Sequence, residues 1–210
     1  MICGNKGFGM KEKNTFAKLK NNEKRARQDV IIEAAERVFA EKPFSKVSIR
    51  DIAKEAGISH ASIYRYFPDQ QSLFVEAFLR GAQEIVLILT DVIRTSENGD
   101  IEKVSETYLT YLIKNDQYFR MMTLFMLDGS LSAEMIKKLN AAERQIFDQF
   151  DNVFRKMDMP EPVRPFSHAF FAALNGVLIT FRNYPGRTKE AVHQHMSNIA
   201  RVIAKKFQNA

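Results

Sequence analysis

An all-α chain is expected from these 210 residues, with a three-helix N-terminal head and a larger body of about six helices. Three observations carry that expectation. Apolar residues recur at helical rather than alternating spacing along almost the whole chain. A compact pattern of capping residues around one glycine occupies positions 47 to 73. Turn clusters then divide the remainder into segments of helical length.

The first apolar stripe, Val30, Ile31, Ala34, Ala35, Val38 and Phe39, predicts a helix followed by a loop carrying Phe44 and Val47. Ser48 is an N-cap residue type, and Asp51 stands three positions on, where a carboxylate meets the free amides of a first turn. Ile49, Ile52, Ala53 and Ala56 give the second helix one apolar side. Gly57 supplies the left-handed conformation that stops a helix at low cost, and Ile58 is expected to plug the corner. Ser59 then caps a third helix beginning at His60. Pro68 ends it, because the residue before a proline is pushed out of helical geometry. Within this helix Ile63 and Phe67 point inward, leaving His60, Ala61, Ser62, Tyr64, Arg65 and Tyr66 to face outward.

Two short helices at a glycine corner are too small to fold alone; they serve to aim the second helix. Such a helix places its N-terminal end in the major groove of DNA. His60 and Ser62 can exchange hydrogen bonds with base edges, and Ala61 is small enough to approach a base or a thymine methyl closely. Tyr64, Arg65 and Tyr66 offer two hydroxyls and a guanidinium to phosphate oxygens. The plainer reading is a helical corner whose Tyr-Tyr-Phe cluster fills core. The joint pattern, with polar residues only where a groove would lie, favours DNA.

From about Arg25 to Leu79 these residues resemble the TetR family of bacterial transcriptional regulators, most specifically over Gly57 to Phe67 and at Leu73. The resemblance implies a helix-turn-helix DNA-binding domain over residues 23–68 and a helical ligand-binding and dimerisation domain over 69–210. It further implies a homodimer that represses from a palindromic operator. Carried over position by position, Ser48, His60, Ala61, Ser62, Tyr64 and Tyr66 would touch DNA, with Lys46 on a phosphate. One departure stands out. The family commonly has Lys-Glu two and three residues beyond the proline, where this chain has Gln70 and Gln71. Gln70 can still donate a hydrogen bond to DNA, but a neutral group releases no counterion.

In the body, Gln70 to about Thr95 is apolar along Leu73, Phe74, Ala77, Phe78, Ala82 and Ile85. The turn cluster Ser96 to Asp100 precedes two helices, Ile101 to Asn115 and Gln117 to Leu127. A break over Asp128, Gly129 and Ser130 leads to a helix of roughly Ser132 to Lys156. Met159, Pro160, Glu161 and Pro162 form the next break, and the last helices run about Val163–Tyr184 and Lys189–Gln208, parted by Pro185 and Gly186.

Two features of the body suggest function. Methionines and aromatics crowd its middle, and methionine conforms to irregular ligands in apolar pockets between helices. Tyr108, Tyr111, Phe119, Met122, Phe125, Met126, Phe150, Phe154, His168, Phe171 and Asn175 are therefore candidates to bind an unidentified small effector, apolar or aromatic in character. Ordinary helical core is the better explanation for any one of them taken singly; it is as a set that they suggest an effector site. Secondly, Ala169, Ala172, Ala173 and Gly176 form a stripe of small residues on one helix face. With Ile199, Val202 and Ile203 they could complete a four-helix bundle between two subunits, or pack within one chain. A two-fold dimer suits two half-sites about one helical turn apart.

Residues 1–27 hold eight basic side chains against two acidic ones, which equals the whole chain's net charge of +6. Residues 1–22 are expected to be a flexible basic arm that lies along phosphates or enters a minor groove. A single cysteine, Cys3, excludes an internal disulfide framework and fits a reducing cytoplasm. No apolar run approaches the ~20 residues that cross a bilayer, so no membrane partner is expected. Catalysis finds no support either. His193 and His195 stand two apart on a helix and point apart, and no metal-ligand or phosphate-loop motif is present. No metal or other cofactor is expected. The rival readings are a DNA-binding or architectural protein of the same build without an effector, and a helical carrier or enzyme that has lost DNA binding.

Overall fold

The computed structural model describes residues 8–96, 98–127 and 132–208, with side chains described from residue 16. Among these residues the head comprises α1 (Phe8–Glu41), a 3-10 turn (Phe44–Lys46), α2 (Ile49–Glu55) and α3 (His60–Ile63). The body comprises α4 (Gln70–Thr95), α5 (Ile101–Lys114), α6 (Asp116–Leu127), α7 (Ala133–Lys156), α8 (Arg164–Phe181) and α9 (Lys189–Gln208). The all-α architecture and the order of elements match the sequence expectation, and the body helices begin and end within about three residues of it. The break expected over Asp128 to Ser130 lies outside the described residues.

Local chemistry explains why helices start where they do. Ser48, Ser59, Asp69, Asp100 and Ser132 each accept a hydrogen bond from the amide three residues on, so five helices share one capping geometry. Each such cap contributes about 1 kcal/mol. At Ser48 the box is reciprocal, since Asp51 accepts from the Ser48 amide at 2.9 Å and from its hydroxyl at 2.7 Å. Those bonds to Ser48, then the Lys42 ammonium, hold the Asp51 carboxyl below the usual carboxylate range. Gly57, at φ +68°, ends α2 as expected.

Three expectations need revision. The helix after Ser59 is only four residues long, because Tyr64 to Tyr66 wind into a turn that brings Phe67 under the head. Ile58 is 37% exposed and does not fill the corner; Ile52, Ala53 and Ile63, all buried, do. Of the leading segment expected as a flexible arm, residues 8–22 continue α1 as helix, with no glycine or proline after Gly9 to interrupt it, and residues 1–7 lie outside the described residues. At 1.5 Å per residue, α1 is roughly 50 Å long.

One apolar core runs through both head and body. α4 is its spine. The N-terminal half of α4 puts Leu73, Phe74 and Phe78 beside Phe39 and Phe44 of the head, while Ile85, Leu89 and Ile93 enter the body. Polar braces reinforce this junction. Arg80 grips Glu36 of α1 through two nitrogens at 2.9 and 2.5 Å, and the Gln70 amide donates to the Phe44 carbonyl at 2.8 Å. At the far end, Asp151 is buried between α7 and α8, accepting from Ser167 at 2.5 Å and pairing with Arg164 at 2.9 Å.

Gly81 lets α6 approach α4. A Cβ there would stand 2.8 Å from two ring carbons of Tyr118, which Phe78 and Tyr111 hold in place at centroid separations of 5.3 and 6.0 Å. Gly81→Ala is expected to destabilise the chain by about 1–3 kcal/mol through overpacking, despite alanine's better helix propensity. Urea unfolding checks this: Tyr118→Ala should cost less in the Gly81→Ala background than alone.

Candidate nucleic-acid interface

α2 and α3 cross at Gly57 with their inner sides sealed by Ile52, Ala53, Ile63 and Phe67. The outer side of α3 carries His60 and Ala61, both exposed, and Tyr64 follows with 53% of its surface free. Lys46 and Ser48 are exposed on the approach to α2, and Arg65 is exposed beyond α3. The structure therefore gathers seven candidate residues, counting Ser62, around one short helix.

Ser62 and the two other candidates, Tyr66 and Gln70, are more committed than the sequence suggests. Ser62 is half-buried, and its hydroxyl lies 2.8 Å from that of Ser59, the cap of its own helix. Tyr66 is half-buried against α1, with the Arg65 guanidinium 5.7 Å from its ring centre. Hydrogen bonding to Tyr66, then the charge of Glu23, raises the Arg27 pKa above its ordinary value. Gln70 spends one amide hydrogen on Phe44, so it fixes the start of α4 to the head. Sequence reasoning missed Arg27 and the Gln70 clamp, because both depend on partners from distant turns. The spacing of Lys20, Lys24 and Arg27 at i, i+4 and i+7 was the available signal for a basic helix face.

In the body most of the expected effector residues form packed interior. Tyr108, Phe150, Phe154 and Phe171 are buried, with the Tyr108 ring 5.5 Å from Phe150 and 6.1 Å from Phe171. Phe119 and Met122 are also buried, Phe125 is partly so, and Met126 is exposed. The exposed His168 lies 4.5 Å from the Phe147 ring. Asn175 donates to the Tyr108 hydroxyl at 3.1 Å in a fully buried pair. Burial pushes the Tyr108 phenol up, and the Asn175 bond only partly offsets this. Tyr111 lies apart from that group, donating to the Gly81 carbonyl at 2.9 Å beside Glu84 at 3.1 Å. It borders a cleft of about 460 Å3 shared with Glu36, Arg80, Glu84, Asn115 and Tyr118. Among the described residues, the Tyr118 hydroxyl is buried with no hydrogen-bond partner, and burial raises its pKa far above the usual phenol value.

On α8, Ala169, Ala172 and Gly176 are exposed and Ala173 is half-buried. Ile179 continues that face at 58% exposure, and on α9 Val202 is 59% exposed beside half-buried Ile199 and Ile203. Space beyond this face is open, since a Cβ at Gly176 would meet nothing within 4 Å.

Residues 31–77 match the family model described as bacterial regulatory proteins, tetR family. Over 193 residues the chain is 28% identical to the HTH-type transcriptional regulator PksA of Bacillus subtilis, covering 85% of this chain and 91% of that one. It is 25% identical over 152 residues to a nucleoid occlusion factor, SlmA, of a Marinomonas species, covering 69% and 74% respectively. In fold it is similar to the transcriptional regulator FadR of Bacillus subtilis, solved in complex with stearoyl-CoA, with a TM-score of 0.68 and 18% identity. That similarity covers 81% of this chain and 96% of the other. No helix among the described residues is long and apolar enough to cross a membrane.

Proposed function

Because this chain belongs to the tetR family of bacterial regulatory proteins, we propose that it acts in the cytoplasm as a homodimeric repressor, released from a palindromic operator by a small-molecule effector. The observation that carries the DNA-binding part is the bare outer side of α3. His60, Ala61 and Tyr64 stand clear of a helix whose position is fixed by two caps and a glycine corner. His60 reads a base edge, Ala61 admits close approach, and Tyr64 with Lys46 holds phosphates. The exposed face of α8 and α9, with Ala169, Ala172, Gly176, Ile179 and Val202, supports pairing with a second copy. Such a pair presents two reading helices to two half-sites.

Effector control rests on the body's interior. An unpartnered buried hydroxyl costs about 1–3 kcal/mol, which a ligand acceptor group reaching Tyr118 would recover. Tyr108, Asn175, Met122 and Phe171 would line the opened site, so its occupant is chiefly apolar with one or two polar atoms. The Bacillus neighbour, solved with stearoyl-CoA, is consistent with this ligand character. Opening the interior would shift α4, and the Gln70 and Arg80 braces carry that shift to the head. The ligand must bind the shifted form more tightly for release to follow. A second reading is an effector-independent DNA-binding protein, favoured by the close packing of Tyr108 against Phe150 and Phe171.

Selection of duplexes from a random pool tests the DNA reading. The wild-type chain is expected to enrich a two-fold symmetric sequence. His60→Ala should bind that duplex about 10- to 100-fold more weakly and relax preference at particular base pairs. Absence of any enriched sequence from the wild-type pool would remove the proposal.

A further inference from the structure

α1 runs far past the head, and its exposed basic residues are not scattered evenly. Ala17, Lys20, Asn21, Lys24 and Arg27 recur at three- and four-residue steps, so they share one face. That face and Arg65 with Tyr66 enclose an open cleft of about 510 Å3. Four of its lining residues are cationic and one, Glu23, is anionic and pairs with Arg27 at 2.6 Å. Among the described residues no ion pair engages Lys20, Lys24 or Arg65. Tyr66 stands as the wall between, its ring near Arg65 and its hydroxyl toward Arg27. The cleft thus begins where the reading surface of α3 ends.

We propose that this α1 face and the Arg65–Tyr66 turn form a second DNA-binding element, which grips a phosphate strand flanking the half-site without reading its bases. The inference rests on the DNA-binding reading above and extends it. Charge complementarity selects the occupant, because a row of lysines with an arginine and a tyrosine hydroxyl matches successive phosphate oxygens. Size agrees. The ten steps from Ala17 to Arg27 span about 15 Å of helix, close to the length of four base pairs along a duplex. A preformed helix also loses little conformational entropy on binding, unlike an unstructured tail.

The test compares three full-length proteins on a fluorescein-labelled 40-base-pair mixed-sequence duplex across a salt series: wild type, Lys20→Gln with Lys24→Gln, and Lys18→Gln with Arg25→Gln. The last pair removes the same charge from a different side of the helix. For the dimer, the cleft variant is expected to flatten the slope of log K against log salt by about three to four. It should also bind at least about tenfold more weakly at moderate salt, while the control variant keeps the wild-type slope. Equal slopes for all three, or equal losses in both variants, overturn the proposal. If the wild-type protein shows no salt-dependent binding, the DNA reading itself fails, and that result is distinct from either of these.

Discussion

Phe74→Ala will cost about 3–5 kcal/mol of stability, the range for deleting a fully buried aromatic ring. Phe74 is 1% exposed and meets Phe39 edge-on at 4.8 Å, Phe44 at 5.3 Å and Phe78 at 6.4 Å. These four rings belong to α1, the loop after it, and α4, so the cavity opens where head and body meet. The neighbours cannot collapse into it easily, because Phe39 is itself buried and α4 is tied to α1 by Arg80 and Glu36. In urea the midpoint should fall with an unchanged slope, as one cooperative transition. A separate early transition of the head alone would contradict the single core described above.

Arg164→Ala is the second large effect. Asp151 is nearly fully buried and depends on Arg164 at 2.9 Å and the Ser167 hydroxyl at 2.5 Å. Arg155 stands farther off at 3.8 Å, and Arg164 also pairs with Asp148 on the surface. Removing the guanidinium leaves a buried carboxylate with one hydrogen bond and a distant cation. The loss should be about 2–4 kcal/mol, toward the lower end for breaking a buried pair because Ser167 remains. Replacing both Asp151 and Arg164 by leucine should recover most of it, since no uncompensated charge is then buried. Thermal unfolding of the single and double variants decides the matter; an equally unstable double variant would mean the site's packing, not its charge, governs stability.

Much of this architecture was legible in the residues because its signals are local. The cap at Ser48, the glycine stop at Gly57 and the apolar period of α4 each depend on a few neighbouring positions. The outward placing of His60, Ala61 and Tyr64 follows from the same arithmetic. What escaped is non-local. Nothing in the sequence ties Gln70 to a carbonyl 26 residues earlier, or sets Tyr66 against Arg27. The shortness of α3 arises because Phe67 must turn into a core built largely by α1 and α4. Likewise Tyr108 and Phe150 could equally have lined a cavity or filled one; periodicity reports which side of a helix faces inward, not whether space remains there. The basic leading segment read as a tail because charge density argues for solvation, whereas α1 runs through residues 8–22 with no proline, and no glycine after Gly9, to stop it.

The sharing of Phe74 between two layers bears on how such proteins can be recombined. A chimera that grafts this reading head onto a foreign effector module at Pro68 would sever Phe39 and Phe44 from their aromatic partner and strip Glu36 of its arginine. The splice belongs after Arg80, three turns into α4, where the transplanted unit takes its own floor with it.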